Sequence, residues 1–129
     1  MKLRWPNAWA LALGLAIAPL ARAAPPNVVQ QEINHLIRYV GESGCDFKRN
    51  GEWRDARAAE AHVRGKYDFL ADIGMIATTR DFIDKAATKS SLSGQPYEIR
   101  CAGDPPISSA AWLINELERY RAARQHSFP

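Results

Sequence analysis

The sequence predicts a mainly α-helical domain with a small antiparallel β element, about four helices and one disulfide. Three observations predict it. Apolar residues recur at helical spacing in four separate segments. Asn50-Gly51, a strong two-residue turn signal, stands between short strand-forming runs. The 129-residue chain has two cysteines, Cys45 and Cys101, behind what reads as an export signal.

Residues 1–23 read as a secretory signal peptide. Lys2 and Arg4 give a positive start, residues 8–18 an apolar run, Pro19 a break, and Ala21-Arg22-Ala23 a small-x-small cleavage site. The expected product is a single periplasmic domain, residues 24–129, with its core at about 27–124. The apolar run is shorter than the roughly 20 residues of a membrane-crossing helix, and no cysteine follows the cleavage site, so no membrane anchor is expected. Cleavage removes Lys2, Arg4 and Arg22, so the 17 basic residues become 14 against 14 acidic ones. With a formal charge of zero, the basic footprint of a nucleic-acid binder is missing, and so is attraction to an anionic membrane.

In an exported chain the cysteines read as one disulfide, ahead of a free thiol pair or a metal site. A metal would need more ligands, and the three histidines show no zinc spacing. No metal and no cofactor is expected. Closing so long a loop stabilises a fold by roughly 4 kcal/mol in the chain-entropy model.

The elements follow in order. Asn27, with Gln30 three residues on, has the spacing of a helix cap; Val29, Ile33, Leu36, Ile37 and Val40 then form one stripe, ended by Ser43-Gly44. His35 falls beside that stripe. Residues 45–54 read as a hairpin with Phe47 and Trp53 on one face, and residues 97–101 as a third strand beside it. Asp55 caps a second helix to about Ile73, with Ala56, Ala59, Val63, Tyr67 and Leu70 inward. His62 and Lys66, four apart, share a face there. Thr78 and Asp81 cap a third helix with Phe82, Ile83, Ala86 and Ala87 inward. After a polar loop and the rigid Gly103-Asp104-Pro105-Pro106 turn, Ser108 or Ser109 caps a last helix with Trp112 and Leu117 in the core. Arg119, Arg121 and Arg124 near its end complement the helix dipole.

The motifs Cys45-x-Phe47-x-Arg49-Asn50-Gly51, Ala61-His62-x3-Lys66-Tyr67, Asp81-Phe82-Ile83 and Ser90-Ser91-x-Ser93-Gly94-x-Pro96-Tyr97-x-Ile99-x-Cys101 resemble the YfeK-like family. These are small exported proteobacterial proteins classed as a domain of unknown function. The resemblance runs from about Ile33 to Tyr120 and implies a periplasmic protein of unassigned activity. It carries no catalytic residues to transfer.

The densest functional signal is the loop Lys89-Ser90-Ser91-Leu92-Ser93-Gly94. Hydroxyls, amides and a lysine together suit an anion, with Lys89, Ser90, Ser91 and Ser93 as ligands and Arg49, Arg100, His62 and Lys66 converging on them. The plainer reading is a helix end and turn, where the same residues are common. Catalytic signatures are missing: Lys89 adjoins Ser90 instead of lying four residues away, and there is no G-x-S-x-G elbow or nucleotide fingerprint. The expectation leans away from an enzyme. First comes a non-enzymatic binding module for an envelope protein partner, of inhibitor or immunity type. Second comes a binder of a small anionic or cell-wall ligand through the 89–94 loop, with a hydrolase behind it.

Overall fold

The computed structural model describes residues 2–3, 12–16 and 24–127; the expected cleavage site and most of the expected leader lie outside the described residues. The first helix, α1 (Asn27–Glu42), is capped differently from the sequence reading. Pro26 holds the N-cap position with extended backbone and no side-chain bond. Asn27 is already helical, and Gln30 Nε2 reaches back to the Pro25 carbonyl at 2.6 Å. Proline suits this place because its missing N–H would have no intrahelical partner there. The predicted stripe holds: Ile33, Leu36, Ile37 and Val40 are buried.

Chain order continues with β1 (Asp46–Arg49), β2 (Glu52–Arg54), α2 (Ala56–Asp72), α3 (Thr79–Ala86), β3 (Glu98–Arg100), β4 (Ile107–Ser108) and α4 (Ser109–Gln125). Asp55 caps α2 by accepting the Ala58 amide at 2.8 Å. Thr78 and Asp81 form a reciprocal capping box on α3. Ser108, of the two candidates, caps α4. Helix α1 is central, packing on α2, α3 and α4. Around it Phe82, Ile83, Leu113 and Ile99 complete a core from which water is excluded.

The sheet is antiparallel throughout, in the order β2-β1-β3-β4. Asn50 and Gly51 both take positive φ, as the tight hairpin turn requires. Register corrects the expected Phe47–Trp53 face. Trp53 stands opposite Lys48, and Phe47 opposite Arg54, so the two aromatics point to opposite sides. Phe47 is buried in the core, while Trp53 lies outside under the Arg100 guanidinium, 4.1 Å from its ring centroid.

Cys45 and Cys101 form the disulfide. They stand one residue beyond the Asp46–Arg100 pair that ends the β1–β3 ladder, so the bond closes the open end of that ladder. It ties the exit of α1 to the end of β3.

In α4, Leu113 and Leu117 are core while Trp112 is only half-buried, stacked on Tyr39 at 4.4 Å between centroids. The arginines there do more than complement a dipole. Arg121 holds buried Glu32 of α1 with two bonds of 2.6 and 2.9 Å, and Glu32 also accepts the Thr79 hydroxyl at 2.6 Å. Arg119 and His35 both donate to buried Glu116. The burial of Glu116 pushes its carboxyl up, but the Arg119 and His35 hydrogen bonds outweigh that and hold it below the usual range.

Candidate functional site

Residues 45–54 fold back over α2, and this brings the inward face of β1 against the first turns of that helix. Arg49 Nη1 lies 2.8 Å from His62 Nδ1. Tyr97, just ahead of β3, carries its hydroxyl to 3.2 Å from His62 Nε2. Lys66, one turn beyond His62, sets Nζ 3.2 Å from the same hydroxyl and 3.1 Å from the Lys89 carbonyl. Two side chains of α2 thus meet at the Tyr97 oxygen, and Arg49 of β1 joins them through His62.

Arg49 Nη1 also lies 3.5 Å from His62 Nε2. Contact with both ring nitrogens places the guanidinium over the face of the imidazole. The Lys66 ammonium only donates, so Tyr97 Oη accepts from it. Lys66 keeps one N–H and Arg49 several.

The electrostatics agree. Burial first, then the charges of Arg49, Lys66 and Arg54, hold His62 below its ordinary pKa. Burial, then Arg49, lowers Lys66. Burial raises Tyr97, keeping its proton on, against a smaller opposing effect of Arg49. Nearby cations have partners: Arg54 pairs with Glu52, and Lys48 with Glu98. Arg49 and Lys66 have no carboxylate partner among the described residues. Beside Arg49 opens a small cavity of about 30 Å³, room for a water or two. Val40, Phe47, Val63 and Leu113 form its apolar side, and Arg49, Arg54, His62 and Tyr97 its polar one.

Arg49, His62 and Lys66 gather at Tyr97 and not on the serine loop, which only Lys66 reaches, and Arg100 does not join them. Arg100 follows buried Ile99, so strand alternation turns it outward onto Trp53 and Asp46. The serine loop adjoins the cluster through the Lys66–Lys89 bond and through Ser93 Oγ, which donates to Asn50 at 2.6 Å. Its own donors are engaged internally. Ser90 Oγ accepts the Leu92 and Ser93 amides, Ser93 Oγ the Gln95 amide, and backbone carbonyls take those of Ser90 and Gly94. Ser91 and the Lys89 side chain are exposed. Tyr97, which sequence reasoning placed only in a strand, is the hub of the site. Its signal was a tyrosine next to a buried strand, whose hydroxyl must find partners.

Among the described residues no group of three or more His, Cys, Asp and Glu is placed to hold a metal, and no helix is long and apolar enough to cross a membrane. The family of unknown function DUF5329 matches residues 27–121. The chain belongs to that family. No curated protein and no solved structure matches it. The matched segment contains all four residues of the cluster and both cysteines, so the site belongs to the part of the chain that the family defines.

Proposed function

We propose that this chain is an exported, non-enzymatic binding module of the periplasm whose ligand is a small oxyanion held by Arg49, Lys66 and Tyr97 beside His62. One observation carries the reading: two cations of the cluster, Arg49 and Lys66, have no carboxylate partner among the described residues. A neutral ligand with donors of its own would leave them facing donors. A carboxylate or phosphoryl oxygen satisfies all of them, and charge-assisted bonds of this kind are about twice as strong as neutral ones. The disulfide and the YfeK-like resemblance support export. The expectation of an envelope-protein partner rests on size, export and cross-linking, features common to exported domains, and ranks second.

The test compares two double variants. Arg49→Gln with Lys66→Gln is expected to abolish binding of acetate and of phosphate, measured by calorimetry, against a wild-type Kd on the order of 1 mM or tighter. Lys89→Ala with Ser91→Ala is expected to retain it. The reverse pattern moves the site to the serine loop. Wild-type protein that binds neither anion removes this reading altogether.

A further inference from the structure

We propose that the oxyanion is borne by a polypeptide: an acidic side chain of a partner protein binds at Lys66, and apolar residues close to it in that chain pack on Phe69 and Ile73. The inference rests on the oxyanion reading above and adds the class of molecule that carries the charge.

The surface of α2 supplies the first observation. Residues four apart on a helix line up in rows. His62 and Lys66 stand in one row, Gly65, Phe69 and the C-cap Ile73 in the next, and Asp68 and Asp72 in the row beyond. Phe69 is 64% exposed and Ile73 39%, so the middle row is apolar and open to solvent. Single exposed apolar residues are ordinary; here two stand in line beside an unpaired cation. Lys66 has no carboxylate partner among the described residues, and Asp68 and Asp72 have no cation partner. A cation, an apolar row and a pair of acids thus lie side by side, and none is matched within the chain.

Gly65 is the second observation. Glycine is a poor helix former, and this one lies in the middle of α2 without a positive φ. A Cβ there meets nothing within 4 Å. Neither the backbone nor the packing of this chain calls for glycine at that place, whereas a second chain lying close over the row does.

Charge and shape then select the occupant. An anionic membrane attracts Lys66 but repels Asp68 and Asp72 on the other side of the same apolar row. A fatty acid needs a cleft that encloses its chain, and the cavity beside Arg49 holds about 30 Å³. A polypeptide can offer a carboxylate at one edge of an apolar strip and amides or basic groups at the other. The spacing suits one too. At 1.5 Å per residue Lys66 and Ile73 lie about 10 Å apart along the axis, which an extended chain covers in about three residues.

The experiment is titration calorimetry of the mature, disulfide-bonded protein. The probe is a six-residue peptide blocked at both ends, with one glutamate and leucines two and four positions after it. Comparisons are acetate, the same peptide with glutamine for glutamate, and the same peptide with serine for both leucines. The glutamate–leucine peptide is expected to bind about tenfold or more tighter than acetate, because it buries apolar surface as well. The glutamine peptide is expected to lose binding, and the serine peptide to fall to the acetate level. Phe69→Ser with Ile73→Ser, both at exposed positions, is expected to bring the leucine peptide to the acetate level and to leave acetate binding unchanged. A leucine peptide that binds no tighter than acetate, or no tighter than its serine counterpart, overturns the inference while leaving the oxyanion site standing. A glutamine peptide that binds as well as the glutamate one separates the apolar row from that site and also overturns it. A wild-type dimer in sedimentation that the double serine variant dissolves assigns the row to a second copy. Anionic vesicles that retain the wild type but not that variant assign it to a membrane; either result overturns the inference. Failure of acetate, phosphate and peptide together overturns both this inference and the reading beneath it.

Discussion

At the scale of single residues, the site depends on which atoms can donate. The Tyr97 hydroxyl lies at the junction of His62 and Lys66, so Tyr97→Phe is expected to weaken anion binding by about tenfold or more. That follows from losing one bond to a charged group, worth roughly 1.5–3 kcal/mol, and titration calorimetry checks it. His62 gives a pH signature. Its folded pKa lies below the usual histidine value of about 6.5, so the unfolded chain binds more protons as pH falls past that value. Its contribution to stability is complete above about pH 6.5 and is lost as pH drops through the depressed folded value. Wild-type Tm is therefore expected to fall more between about pH 7.5 and 5.5 than that of His62→Gln; equal falls contradict the assignment. His62 and Lys66 were legible as a shared helical face because that spacing is local. Tyr97 was not, because its role depends on a helix some thirty residues away.

At the scale of elements, polar contacts between helices do work that apolar periodicity does not reveal. Glu32 sits on α1 and joins α3 through Thr79 and α4 through Arg121. The Arg121 hydrogen bond foremost holds its carboxyl below the usual range, against burial. Glu32→Ala leaves the buried Thr79 hydroxyl without its acceptor, and a loss of about 1–3 kcal/mol is expected by denaturant unfolding. The Glu32 contribution is present above the ordinary carboxylate pKa and disappears as pH falls through the depressed one. The caps of α2, α3 and α4 were readable because a cap is a local bond between residues three apart. The Asn27 cap failed because Pro26 already sets the entry geometry. The two-residue strand β4 left no periodic trace, and the Phe47–Trp53 face depended on a register that the turn sets, not on the identity of the two aromatics.

At the scale of the molecule, the fold was legible in outline: helices from stripes, a hairpin from Asn50-Gly51, and a cross-link from two cysteines. The disulfide holds the β1–β3 ladder and so keeps Arg49 and Tyr97 in fixed relation. Cys45→Ala with Cys101→Ala is expected to lower stability by roughly 2–4 kcal/mol, a Tm loss of order 10–20 °C. Anion affinity should fall at temperatures where the variant remains folded. An unchanged affinity there would show that the sheet needs no staple to hold the site. The most direct measurement is the ring-nitrogen NMR spectrum of His62 in the mature protein, without and with added oxyanion. The account predicts a neutral ring in the free protein, and a change at its nitrogens when acetate or phosphate is added. A ring that no oxyanion perturbs contradicts it.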